Sequence, residues 1–248
     1  MKKLLAGNWK MNCSLDEAKL LIADVINGVY QNQAVQERCE VVIFPPAIYL
    51  PTVRHALGNH TLISFGAQDC SGHENGAYTG EISAAMLKDS SCSHIIIGHS
   101  ERRRYHAESN ADVKAKAAQV HKNGMIAIIC VGETQAERDE GRAEEVVMTQ
   151  LEACLPMGAH AMNTVVAYEP VWAIGTGNTA SDNDIKFMHS FIRGCLEEKL
   201  ADGANMRILY GGSVNAENGP VILNIANVDG VLVGGASLKA ESFLAIAG

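Results

Sequence analysis

The sequence predicts an α/β protein, a single-domain (β/α)8 barrel over residues 1–248, and three observations carry that expectation. Short apolar runs without polar alternation recur eight times: LLAGN (4–8), VVIF (41–44), LISFG (62–66), HIIIG (94–98), IAIICVG (126–132), VVAYE (165–169), ILYGG (208–212) and GVLVGG (230–235). Such runs suit strands buried on both faces, as in a parallel sheet. Helical patterns lie between them. The chain has 248 residues and no Pro/Gly/Ser-rich linker, which matches the roughly 250 residues that eight such units occupy. A doubly wound open sheet alternates in the same way, but its GxGxxG fingerprint after the first strand is missing.

The elements follow in order. The first run ends in Asn8, Trp9 and Lys10, and then Ser14 and Glu17 form a capping-box signature. Beyond it Ala18, Leu21, Ile22, Val25 and Val29 keep one helical face apolar. The fourth run ends GHSE (98–101), opening a helix that reads SERRRY. After the fifth, ETQAERDEGRAEE (133–145) is most simply a solvated helical face. The sixth ends in Glu169. Ser181 then opens a helix in which Ile185, Met188, Ile192 and Leu196 recur at helical spacing. The seventh and eighth end in GGS (211–213) and GG (234–235), ahead of segments that could begin helices.

Composition narrows the function. A formal charge of −8 argues against nucleic acid as a partner. The N-terminal apolar run is too short for a signal peptide or a membrane span, which needs about 20 residues. Seven cysteines, none in a CxxC pair, read as reduced thiols of a cytoplasmic protein and make a zinc site improbable.

In a barrel of this kind chemistry gathers where strands end, because the βα loops form that rim. Glu169 lies between Val165–Ala167 and Pro170–Trp172, a setting expected to strip water from it and raise its pKa toward that of a useful base; the plain alternative is a carboxylate paired with an arginine. His99 lies at a helix N-terminus, where the partial positive charge favours a neutral ring; taken alone, a structural cap or packing residue is the better reading. Lys10 could draw an anion to the mouth of a protein of net −8, form a Schiff base, or sit in solvent. The two glycine turns offer bare N–H groups suited to a phosphate, which often binds after strands seven and eight.

Six stretches in sequence order then resemble one family: GNWKMN (7–12), GHSERR (98–103), CVGET (130–134), AYEPVWAIGTG (167–177), YGGSVN (210–215) and DGVLVGGASL (229–238). Together they resemble the triosephosphate isomerases over essentially the whole chain. The resemblance implies a TIM barrel that interconverts dihydroxyacetone phosphate and D-glyceraldehyde 3-phosphate, with no cofactor and no metal. It makes Glu169 the proton-transferring base and His99 the neutral electrophile. Asn8 and Lys10 become substrate and oxyanion contacts, and Gly175, Ser213, Gly234 and Gly235 phosphate contacts. Glu101 matches a supporting position. The resemblance further implies a lid at about 170–180, which shields a reactive enediolate, and a homodimer whose loop at about 69–83 enters the second subunit. Asn178, Asp69 and Tyr78 depart from the usual lysine, asparagine and phenylalanine, and the run Arg102–Arg104 is less usual, with solvent the simplest partner for all three arginines. A Schiff-base aldolase using Lys10, and a sugar-phosphate binder without turnover, are the competing readings.

Overall fold

The computed structural model describes residues 1–174 and 179–248. Eight strands form a closed barrel in sequence order: β1 (Lys3–Asn8), β2 (Cys39–Phe44), β3 (Ile63–Ala67), β4 (His94–Ile97), β5 (Ile126–Val131), β6 (Thr164–Tyr168), β7 (Arg207–Tyr210) and β8 (Gly230–Val233). Every pairing is parallel, and β1 closes the ring on β8 with Leu5 opposite Val231. The closed ring, not an open sheet, is therefore the outcome of the alternation.

Because side chains alternate across a strand, each apolar run feeds two cores. Leu4, Ala6, Val42, Phe44, Ile96, Ile128, Cys130, Val165, Ala167, Leu209 and Leu232 fill the barrel interior. Their neighbours Leu5, Val41, Ile43, Ile95, Ile97, Ile129 and Val166 face outward into the layer under the helices. Full burial of one such side chain stabilises by about 1.5–3 kcal/mol, so polar alternation would have been costly on either face.

The expected helices cover those outer faces. Ser14 caps the helix Leu15–Gln31 with its reciprocal Glu17 bond, and Ala18, Leu21, Ile22, Val25 and Val29 are buried. Ser181 caps Asp182–Lys199 in the same way with Asp184, burying Ile185, Met188, Ile192 and Leu196. Residues 133–145 depart from the expected single solvated face. Thr134 caps a short helix, Gln135–Asp139, and a second helix starts only at Ala143. Gly141, at φ 71°, makes the turn between them. Glu133 is completely buried.

At the N-terminal end of the barrel Arg207 meets Glu40 at 2.6 Å, and the His94 ring lies beside them, with Nε2 3.7 Å from Glu40. Burial pulls the His94 pKa down to about 4, with Arg207 adding to the effect and Glu40 opposing it. His189, buried behind β6 and β7, is also brought to about 4 by burial, despite its contact with the Asn227 carbonyl. Both rings are thus neutral when folded and protonate more readily when unfolded. The unfolded chain binds the extra protons between about pH 6.5 and pH 4, so stability is expected to fall as pH drops through that window. His94→Gln, which cannot titrate, is expected to flatten the decline of the unfolding free energy; an unchanged slope in denaturant melts would refute this.

Candidate active site

At the opposite end, where the strands stop, a cavity of about 450 Å³ is lined by Asn8, Lys10, His99, Glu101, Glu169, Gly211–Ser213 and Gly234–Gly235. The structure therefore brings together every site residue expected from the sequence except Gly175, which lies outside the described residues, as does Asn178. A larger groove of about 820 Å³ runs between the helices Leu15–Gln31 and Ala240–Ala245, but no strand-end group lines it. Among the described residues no group of three or more His, Cys, Asp or Glu side chains could hold a metal ion.

Glu169 leaves β6 directly into this cavity, only 2 % exposed. Its two oxygens are both engaged: Oε2 accepts the Ser100 backbone N–H at 2.9 Å, and Oε1 lies 3.0 Å from His99 Nε2. The expected rise of its pKa is not what results. Burial does push the carboxyl up, but the His99 ring, the Ser100 N–H and the Cys130 thiol all favour the anion, and the net direction is down. Sequence showed the apolar surroundings and not the three donors that the fold brings to them. Neighbouring backbones crowd the same site. A Cβ at Gly132 would sit 1.8 Å from the Glu169 carbonyl oxygen, and one at Gly211 would sit 2.9 Å from its Cγ.

His99 is the N-cap of the helix Ser100–His106, and its Nδ1 accepts the Glu101 backbone N–H at 3.2 Å. That bond occupies the Nδ1 lone pair and leaves Nε2–H as the single donor of a neutral ring, pointed at Glu169. Burial disfavours the imidazolium; the Glu169 and Glu101 carboxylates outweigh burial and draw the pKa upward. The net direction is up, against the preference for a neutral ring expected of a helix N-terminus, with Glu169 the larger source of the pull and Glu101 the smaller.

Lys10 has a left-handed backbone, φ 52°. A non-glycine residue there carries strain of about 1–3 kcal/mol, which persists only where the surroundings over-determine it. Its N–H donates to Asn8 Oδ1 at 3.0 Å, and its ammonium pairs with Glu101 at 2.6 Å. Gly234 lies close under the stem, since a Cβ there would approach Lys10 Cε to 3.2 Å. Glu101 is thus fixed between Lys10 and the His99 turn, and the cation stands at the rim.

The glycine turns differ from expectation. No helix starts directly after β7: Gly211–Asn215 runs through bends, and the next helical turn is Gly219–Ile222. After β8 a 3-10 turn, Gly235–Leu238, begins at once. Ser213 Oγ donates to the Ala173 carbonyl at 2.9 Å, tying this turn to the 3-10 segment Val171–Ala173 that follows Pro170.

Three supporting residues escaped the sequence reading. Glu133 accepts from Trp172 Nε1 at 2.8 Å and from the Tyr168 hydroxyl at 3.1 Å, bracing the segment after Glu169. Arg103 is not a solvent residue: it donates to the carbonyls of Gly98 and Cys130 at 2.9 and 3.2 Å and to Asn110, holding the turn that carries His99. Arg102 likewise pairs with Asp69 at 2.9 Å, while Arg104 stacks over Tyr105. Gln68 donates to the Lys10 carbonyl. A charged residue in an apolar strand-end motif was the available signal for Glu133; nothing local marked the other two. Cys130 is packed as expected, its thiol pushed well above its ordinary pKa by burial and then by Glu169.

The family model described as triosephosphate isomerase matches residues 3–248. The chain belongs to the triosephosphate isomerase family. A triosephosphate isomerase of Rhodopseudomonas palustris (strain BisA53) is 48 % identical, covering 100 % of this chain and 97 % of the relative. That of Rhizobium meliloti (strain 1021) is 47 % identical over 99 % and 95 %. The crystal structure of triosephosphate isomerase from Bartonella henselae superposes with a TM-score of 0.90 at 42 % identity, covering 99 % of this chain and 98 % of that one. Five of the six stretches that resembled the triosephosphate isomerases, all but CVGET (130–134), supply the residues that line the cavity, so family and site coincide.

Proposed function

We propose that Glu169, His99 and Lys10 are the working groups with which this triosephosphate isomerase interconverts dihydroxyacetone phosphate and D-glyceraldehyde 3-phosphate. One observation carries the assignment: a carboxylate, an imidazole and an ammonium from three separate strand ends share one cavity with two glycine turns. Glu169 takes a proton from the carbon next to the substrate carbonyl and returns it to the former carbonyl carbon, while the hydroxyl proton passes from one enediolate oxygen to the other. His99 Nε2–H and the Lys10 ammonium stabilise the charge that grows on oxygen in the enediolate. Asn8 holds the Lys10 backbone and borders the substrate, and Glu101 steadies Lys10.

Substrate entry also explains why the resting pairing matters. A carbonyl oxygen that takes the His99 N–H removes a donor from Glu169, and burial is then opposed by fewer groups. The carboxylate becomes more basic at the step that needs it. Phosphate binding falls to the turns at Ser213 and Gly234–Gly235, helped by Gly175. A lid at about 170–180 excludes water, which protects the enediolate from losing its neighbouring phosphate.

A coupled assay with NADH and glycerol-3-phosphate dehydrogenase tests the activity, and loss of turnover in Lys10→Met tests the cation. Borohydride with substrate is expected to leave no adduct on Lys10; a trapped adduct would restore the aldolase reading, which the family does not favour.

The enzyme is further inferred to be a cytoplasmic homodimer, joined through the loop at about 69–83. No helix among the described residues is long and apolar enough to cross a membrane. Support for the dimer comes from Met11 and Tyr105, 95 % and 67 % exposed at the edge of a second opening beside Lys10. A single-chain mass in sedimentation at working concentration would refute it.

A further inference from the structure

We propose that Gln68 is a positioning residue for Lys10, acting through the lysine backbone and not through the substrate. The inference rests on the reading of Lys10 as a substrate-binding cation. Gln68 follows β3 directly, and its side-chain nitrogen spends both hydrogens on main-chain carbonyls: Lys10 O and Phe44 O, each at 2.8 Å. The Phe44 carbonyl also accepts the Trp9 N–H at 3.1 Å. One amide thus joins the ends of β1, β2 and β3 at the residue whose φ is 52°.

The two polar groups of the Lys10 backbone are held from opposite directions. Asn8 Oδ1 takes the N–H at 3.0 Å, and Gln68 Nε2 takes the carbonyl. A left-handed lysine without these holds relaxes toward negative φ, because its Cβ is crowded in the native conformation. Rotation at Cα is magnified along the four-methylene stem, so a small backbone change carries the ammonium away from the cavity. Asn12 fixes the same turn one step further out, its amide donating to the Trp9 carbonyl at 2.7 Å. That bond holds the peptide before Lys10 and cannot replace the carbonyl clamp after it.

A double-mutant cycle with Gln68→Met and Lys10→Met separates this role from a merely structural one, because Met keeps the length of Gln and removes both donors. Gln68→Met is expected to lower kcat/KM about 10- to 100-fold, with the larger share in KM, while the thermal midpoint shifts little. In the Lys10→Met background the same change is expected to cost less than about threefold, since the group it positions is gone. Full multiplication of the two effects, or an unchanged KM in a well-folded Gln68→Met enzyme, would overturn the proposal. Should Gln68→Met fail to fold, Gln68→Asn, too short to reach both carbonyls, takes its place in the cycle with the same expectations. Lys10→Met measured alone at wild-type kcat/KM would instead strike the cation reading beneath it, so the two failures are told apart.

Discussion

Glu169→Asp is expected to lower kcat on the order of 100-fold while leaving the fold intact. The shorter side chain draws the carboxylate back by one methylene, and a misplacement near 1 Å costs about that much when the reacting atoms must meet in line. The structure leaves little means of recovery. The Glu169 backbone is pinned through its N–H to the Val131 carbonyl at 2.8 Å, and Gly132 packs against its carbonyl oxygen. The main chain therefore cannot advance to compensate. Single-turnover or steady-state rates in both directions check the prediction, with KM expected to move far less than kcat. A Glu169→Asp enzyme of wild-type kcat would remove this carboxylate from proton transfer.

His99→Ala is expected to raise the barrier by roughly 3–4 kcal/mol, the cost of losing one preorganised donor to a developing oxyanion. The variant carries a second signature. His99 is the first of the neighbours that hold the Glu169 carboxyl below its ordinary value against burial. Without the ring, Glu169 is expected to titrate at higher pH, and the acid limb of the kcat/KM profile to move upward with it. The sign follows from the resting pair: burial raises the carboxyl pKa, and one of its main counterweights has been deleted. A near-wild-type rate, or an acid limb that stays in place, would count against the pairing. His99→Gln, which retains an N–H donor, is expected to lose less than His99→Ala.

Much of the fold was legible because its signals are local and repeated. LLAGN, VVIF and HIIIG announce strands covered on both faces, and the Ser14 and Ser181 capping boxes mark helix starts through contacts three residues apart. The rim residues were legible for a related reason: once strand ends are known, the residues that follow them share one end of a closed parallel barrel. What was misread involved partners distant in sequence. Residues 133–145 look uniformly solvated, yet Glu133 is taken inside by Tyr168 and Trp172 from 35 and 39 positions away. Arg103 sits in a run of three arginines that are alike by composition, and only its carbonyl partners distinguish it.

By itself, then, the order of amino acids determined the eightfold alternation, the covered faces and the identity of the groups at the rim, since hydrophobic period and capping act over a few neighbouring residues. Tertiary structure alone decided the protonation balance of Glu169, the strained backbone of Lys10 and the clamp on it. Each of these depends on distances of about 3 Å between segments that meet only when the ring of strands closes, and hydrogen bonds and charges are settled at that range.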